Sequence, residues 1–517
     1  MRGAPLLAGL FVFFPLLALY ARTMLPGLGF WDTAEFQTVG TVLGIAHPTG
    51  YPSYTLLAWL ASVLLQPFGE PALRANLLSG LLAGGGAALV AATVTLLVRR
   101  AAIGVAAGLA LGLSGPAWSI GLRADAHALH LALVALVLLL LVGWQQSERD
   151  SRLADSLLLA AAVVFGVSLG NHGLTVLLAP GIALFLLAAR PRLLFERPRL
   201  VLGCALALGL TTVLLYAYLP LRSAMDPPLD YANPQTWEGF SYLVFAEQFR
   251  GSFRGFPAPV EATRFVLGES VAEMGAFAAL AAVGVLVLLR RPPLLLMLLV
   301  WIVLNWGFAL GYVNADIERY YLAPLLSLAV LGGVGAAAVL EAGVQAWRRV
   351  RDRWRGRPLP VRAARLNSNG LHVAGALALA GLLVLPSLAA MPGRFGRVDL
   401  SHDNSARDWL ANVLPQLDEG ALVISWWAFS TPLWYAQYVD GQRPDIFVAD
   451  DRTMIDLQLG DALEVIDDNL GRRPVYLIRL PYDLPAFRER YQLARLDVPG
   501  WGPDGWVYRV EAMRAGG

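Results

Sequence analysis

The chain has 517 residues, of which 57% are hydrophobic and only 15% charged, and its mean hydropathy is +0.56. A soluble chain carries about a quarter charged residues, so this composition excludes an ordinary water-soluble protein. The net charge of +2 gives nucleic-acid binding no electrostatic support. No lysine occurs, and the single cysteine, Cys204, lies in an apolar run, which excludes a disulfide framework.

A helix needs about 20 apolar residues to cross a bilayer, and by that measure about 11 segments read as spans. In chain order they are 5–22, 74–98, 101–121, 127–145, 154–171, 173–189, 200–220, 271–289, 293–313, 321–341 and 370–390. The first lacks a small-residue cleavage site and reads as a retained span rather than a signal peptide. The run 51–66 is shorter, and Pro48, Pro52 and Pro67 bracket it. Arginine placement decides how to treat it. If 51–66 does not cross, Arg99-Arg100, Arg149 with Arg152, Arg190 to Arg199, Arg290-Arg291 and the basic loop Arg348 to Arg365 share one side. Short arginine-rich loops stay cytoplasmic. The run 51–66 therefore reads as a helix at the membrane face, with the N-terminus cytoplasmic and the long segments 23–73 and 221–270 outside.

From Arg394 onward the composition changes. Helix-like stretches (405–417, 459–470) alternate with short strand-like runs at 421–425, 446–449, 475–478 and 506–510, the pattern of a small α/β layer domain. The expected fold class is an all-α polytopic membrane domain over 1–390 followed by a small α/β extracytoplasmic domain over 391–517. No Gly-rich phosphate loop occurs in it, which disfavours a nucleotide site. The run Trp426 to Tyr435 is rich in aromatics; it reads either as core and membrane-interface packing or as one wall of an acceptor site.

Ionisable residues at membrane depth are costly and mark functional sites. Here they gather at the outer ends of spans. The first loop carries Asp32 and Glu35, then His47-Pro48-Thr49-Gly50-Tyr51-Pro52. The third span ends near Arg123, Asp125 and His127, with His130 a turn further on. Asn171-His172 fills the turn between the fifth and sixth spans, the seventh span ends at Arg222, and the ninth ends in Asp316, Glu318, Arg319 and two tyrosines. Asp32 and Glu35, three apart, share a helix face or act as caps. The four histidines lack HExxH or paired-ligand spacing, so no metal site is assigned. A divalent metal and other cofactors are left open.

Trp31-Asp32-x-x-Glu35 followed by Gly44-Ile45-Ala46-His47-Pro48-Thr49-Gly50-Tyr51-Pro52 resembles a bacterial family of the GT-C glycosyltransferase superfamily, related to the animal transmembrane protein O-mannosyltransferase. Arg74 to Ser79, Ser168 to His172, Tyr218 to Arg222 and the motif at Asp316 extend the resemblance over most of the membrane region. One departure is the pair Asp125 and His127, where an acidic residue before an aromatic is expected.

The resemblance implies a GT-C fold and a polyprenyl-phosphate-linked sugar donor, with mannose the sugar of the animal relative. The acceptor would be a hydroxyl on a protein, lipid or polysaccharide at the outer face of a bacterial inner membrane. Asp32, and after it Glu35, would be the catalytic carboxylates, with Asp32 a general base whose pKa is raised by partial desolvation. Arg222 or Arg319 would clamp the leaving phosphate, and His47 and Tyr51 would line the donor pocket. Asp125, His127, Asn171, His172, Asp316 and Glu318 are further site candidates. A transporter or flippase would instead show internal repeats and broken helices facing the midplane. A non-catalytic envelope-assembly scaffold would place its binding in the outer domain alone.

Overall fold

The computed structural model describes residues 3–149, 151–355 and 361–514. Among these, eight helices are long and apolar enough to cross a membrane: Ala4–Thr23, Pro71–Val98, Ala126–Gln146, Arg152–Leu169, Pro198–Ser223, Pro292–Gly311, Ile317–Trp354 and Gly370–Val398. The pair Pro259–Met274 and Ala276–Leu288 would make a ninth, bent by 110° at its break. The chain is therefore a multi-pass membrane protein.

This is fewer than the eleven full spans read from the sequence, and local chemistry explains the difference. The segment 101–121 breaks into Ala101–Gly112 and Gly115–Ile120, because Ser114 caps a new helix and Pro116 sits in its first turn. The segment 173–189 opens as a 3₁₀ turn and becomes α-helical only at Ala179. Between Met274 and Ala276, Gly275 takes φ +52°, and a Cβ there would lie 3.0 Å from Pro386. Only glycine makes that bend without strain. The run around 51–66 forms the helix Pro52–Leu64, whose 13 residues reach about 20 Å, too short for a hydrocarbon core of about 30 Å. Residues 356–360 of the basic loop lie outside the described residues.

The membrane core packs Val12, Leu16 and Tyr20 of the first helix against Ala83, Ala87 and Val90 of Pro71–Val98, all essentially inaccessible. Three of its buried polar tips find backbone or side-chain partners. Tyr20 donates to the Gly112 carbonyl at 2.6 Å, Trp118 to Thr23 at 3.0 Å and Trp301 to the Leu178 carbonyl at 3.0 Å. An unmatched polar group in such surroundings costs several kcal/mol.

The last long helix runs to Val398, past the boundary expected at 390. Beyond it lies a five-stranded sheet: β1 (Leu422–Ile424), β2 (Phe447–Ala449), β3 (Val475–Leu477), β4 (Tyr491–Arg495) and β5 (Tyr508–Met513), in the order β2-β1-β3-β5-β4. β1 is parallel to β2 and β3, whereas β5 is antiparallel to β3 and β4. Four strands fall at or near the runs read from sequence; β4 was not foreseen.

The sheet domain is seated on the first loop. Phe30 packs edge-on against Trp409, Phe429 and Trp501. The Tyr435 hydroxyl accepts from the Ala72 backbone N–H at 3.1 Å. Arg407 bridges Glu70 at 2.5 Å and also reaches Asp440.

Candidate active site

The first loop folds into the helix Trp31–Val42, which places Asp32 in its first turn, where the helix dipole favours a carboxylate. One residue fixes this loop to its surroundings. The Asn76 amide donates to the Leu25 and Gly27 carbonyls at 2.9 and 3.0 Å. Its oxygen accepts from Gln37 at 2.9 Å and from the Ala124 N–H at 2.8 Å. The loop bearing Asp32 and the turn bearing Asp125 are thus tied to one side chain. Asn76 stood inside the Arg74–Ser79 string but was not read as a site residue.

Asp125 caps the helix Ala126–Gln146, accepting from the His127 backbone N–H at 2.8 Å and facing its ring nitrogen at 3.0 Å. Arg319 approaches from the start of a long helix and gathers three carboxylates. Its guanidinium is 3.3 Å from Asp125 and 3.6 Å from Asp32, and it also pairs with Asp316. Arg123 lies 3.6 Å from Asp316. On the other flank, Glu35 is buried and holds His47 through the backbone N–H at 2.7 Å and the ring at 2.5 Å. The far ring nitrogen of His47 is 3.3 Å from the Tyr51 hydroxyl.

These groups border a cavity of about 900 Å³ between one set of span ends and the sheet domain. Asp32, His47, Tyr51, His127, His172, Asp316 and Arg319 line it, and the sheet domain contributes Trp427 and Arg452. Trp31 and Tyr51, both in its wall, have φ of +56° and +46°. For aromatic residues that conformation costs on the order of 1–3 kcal/mol and persists only where surrounding contacts impose it. Among the described residues, no three His, Cys, Asp or Glu side chains gather with metal-binding geometry.

Charge balance sets the protonation states. Burial pushes the Asp32 carboxyl up, but His47, Arg319 and the Trp427 indole together outweigh it, so its pKa lies below the usual value. This corrects the expectation of a base raised by desolvation: the desolvation is present, but the neighbouring cations are closer than that argument allowed. At Asp125 burial is likewise outweighed, by Arg319 and His127, and the pKa is lowered. Burial dominates at Glu35, which is raised despite His47. For His47 burial pulls down, while Glu35 and Asp32 pull harder, lifting it to about 9.

Not every candidate residue meets the cavity. Asn171 is buried outside its lining, donating to the Ala126 carbonyl at 3.0 Å, and Glu35 and Asp125, also outside it, pair with His47 and Arg319. Glu318 is exposed and outside the lining. Arg222 is also outside it. Its guanidinium donates to the Leu43 carbonyl at 2.7 Å and the Val42 carbonyl at 3.3 Å, so it satisfies the C-terminal carbonyls of the helix Trp31–Val42 rather than facing the cavity. Tyr231, Tyr320, Trp427 and Arg452 line the cavity without having been singled out, although Tyr320 and Trp427 stood inside noted aromatic strings.

A bundle of apolar helices with a cavity at one set of its ends, covered by a small mixed sheet domain, is a GT-C-like fold. ArnT from Cupriavidus metallidurans superposes with a TM-score of 0.62 in its apo state, at 15% identity and covering 97% of each chain. The same protein bound to undecaprenyl phosphate gives 0.57, at 16% identity and 98% of each chain. An oligosaccharyltransferase from Archaeoglobus fulgidus gives 0.50, at 14% identity, over 98% of this chain and 73% of the other. At these identities the likeness is one of fold.

The sequence relationship is more specific. Residues 32–194 match the family described as protein O-mannosyl-transferase TMEM260, N-terminal domain. The mouse (Mus musculus) protein O-mannosyl-transferase TMEM260 is 26% identical over 481 residues, covering 88% of this chain and 64% of its own length. The chain thus spans less than two thirds of that relative.

Proposed function

We propose that this protein is a membrane glycosyltransferase that moves a sugar, mannose in the first instance, from a polyprenyl-phosphate carrier to an acceptor hydroxyl. The observation that carries this reading is Asp32: a carboxylate, one-third exposed, in the wall of a cavity at one set of span ends and next to Arg319. The relationship to protein O-mannosyl-transferase TMEM260 and the ArnT-like fold support it.

The reaction asks little of the protein beyond what these residues supply. An acceptor hydroxyl must lose its proton as it attacks the anomeric carbon, and Asp32 takes that proton. The bond from that carbon to the phosphate oxygen breaks, and negative charge grows on the phosphate. Arg319 and Arg123, both in the cavity wall, offer donors to that charge. His47, protonated at neutral pH, adds a third positive group. Attack from the face opposite the phosphate inverts the anomeric centre. The donor's tail stays in the bilayer while its reactive carbon reaches the cavity. The cavity lies on the non-cytoplasmic side, with the N-terminus cytoplasmic; the bacterial inner membrane is the setting we assign.

The test is direct. Purified protein in lipid nanodiscs, given radiolabelled polyprenyl-phosphate mannose, should label protein, lipid or glycan acceptors from the parent cell envelope. Mass spectrometry of a strain lacking the protein should show the same acceptors unmodified. Intact donor in the first experiment and an unchanged glycan profile in the second would overturn the reading.

A further inference from the structure

The side chain that meets Asp32 most closely comes from neither the first loop nor the membrane helices. Trp427, the first residue of the helix Trp427–Tyr438 in the sheet domain, donates its indole N–H to Asp32 Oδ1 at 2.9 Å. The other oxygen, Oδ2, faces Arg319 at 3.6 Å, beyond ordinary hydrogen-bond length. One oxygen of the carboxylate is thus held, while the other borders the cavity. We infer that Trp427 is a positioning residue for the glycosyl transfer, and that the sheet domain is part of the catalytic centre through it. The inference rests on the reading of Asp32 as the base.

Tryptophan is suited to this task. Its indole is a donor only and does not titrate near neutral pH, so it can orient a carboxylate without competing for the acceptor's proton. The ring is also fixed from several sides. It lies edge-on to His47 at 5.8 Å, to Tyr231 at 6.0 Å and to Trp434 at 5.9 Å. Trp426, the preceding residue, packs on Trp31 at 5.0 Å. The helix carrying Trp427 is held on the first loop by the contacts of Phe30, and by Tyr435 on the Ala72 N–H. A base held within a narrow range of orientations is worth large factors in rate, because small misplacements of reacting groups are costly.

The charged and titratable groups around Asp32 set what a change at Trp427 should do. His47 and Glu35 face it from the first loop, and Asp125 and Arg123 from the turn before Ala126. Asp316, Arg319 and Tyr320 come from the start of the long helix, Tyr231 from the loop after Ser223, and Asp450, Asp451 and Arg452 from the sheet domain. Trp427→Phe deletes the N–H donor and part of the ring, whereas an isosteric bicyclic side chain without the N–H deletes the donor alone. A hydrogen bond to the ionised form lowers a carboxyl's pKa, so its loss raises that of Asp32.

The experiment compares the 517-residue protein with Trp427→Phe and with an isosteric benzothienylalanine at the same position, which keeps the bicyclic shape and lacks the N–H. Expected are a fall in kcat of about 10- to 100-fold, a donor KM within about twofold, and an acid limb of the kcat profile displaced upward by roughly half to one pH unit. Tyr435→Phe, which loses a bond in the same seam but does not touch Asp32, should leave the acid limb in place. Should the phenylalanine variant fail to fold, the benzothienyl variant carries the test. Wild-type kcat and an unmoved acid limb in a folded variant would overturn the inference and leave the glycosyltransferase reading standing. An inactive wild type would instead remove that reading itself.

Discussion

The Glu35 carboxylate takes two hydrogen bonds from one residue: the backbone N–H of His47 at 2.7 Å and its ring nitrogen at 2.5 Å. Twelve residues separate them, and the bridge closes the loop that carries the His47–Pro52 turn. It also explains how a buried imidazole can remain charged.

This pairing predicts a pH dependence of stability. His47 has its folded pKa raised from 6.5 to about 9. A raised histidine contributes stability that is complete below the unfolded pKa and lost as pH rises through the folded one. The melting temperature of the wild type should therefore fall between about pH 6.5 and pH 9. Glu35→Gln, which keeps an acceptor and loses the charge, should flatten that fall. Glu35→Ala leaves the buried donors of His47 unmet and should cost about 1–3 kcal/mol. A melting temperature independent of pH across this window in the wild type would refute the pairing.

Asp32→Asn keeps shape and removes the charge. Turnover should drop by roughly 100-fold or more if the carboxylate takes the acceptor's proton. Stability should change little, because Arg319 retains Asp125 and Asp316. Turnover within a few-fold of wild type would move the base to another carboxylate.

Arginine 319 holds three carboxylates through different nitrogens, which a lysine cannot imitate. Arg319→Lys should lower donor turnover roughly tenfold or more and lower the melting temperature as well. Arg222→Lys should leave donor use intact and lower the melting temperature by a few degrees at most, since its partners are the carbonyls of Leu43 and Val42. A donor defect in Arg222→Lys without loss of stability would reverse this assignment. Steady-state kinetics and thermal unfolding on the same preparations decide it.

Orientation is testable with one thiol. Gln442 is exposed on the sheet domain, whereas its neighbour Gly441 has φ +68° and does not tolerate a side chain without strain. In a Cys204→Ser background, Gln442→Cys should react with an impermeant maleimide in intact cells. Labelling only after lysis would place the domain on the cytoplasmic side.

The sequence carried much of this site, and its failures have physical causes. Asp32, His47, Tyr51, Asp316 and Arg319 were all legible, because ionisable and aromatic residues at span ends have few structural reasons to be there, and they do meet in one cavity. Arg222 was legible only as a cation at a span end. A guanidinium facing a phosphate and one facing helix carbonyls have the same signature, and only the position of Leu43 separates them. Trp427 lay within a noted aromatic run, yet no local pattern says that its indole meets a carboxylate 395 positions away. The break at Ser114 was hidden because the flanking residues are equally apolar, while a cap and a proline outweighed hydropathy. β4 pairs only with β5 at the sheet's edge, and its five residues alternate too weakly to stand out.

The Asp32–Trp427 contact has a consequence for how the chain is made. At about 5–20 residues per second, the stretch between the two takes roughly 20–80 s to synthesise. Through that interval Trp427 has not been made, whereas the first loop has. Its carboxylate then has no indole to hold it, and the cavity has no roof. The wall of the cavity is therefore incomplete until the ribosome has passed Trp427. The two halves of this contact thus meet only after every membrane helix between them has been made.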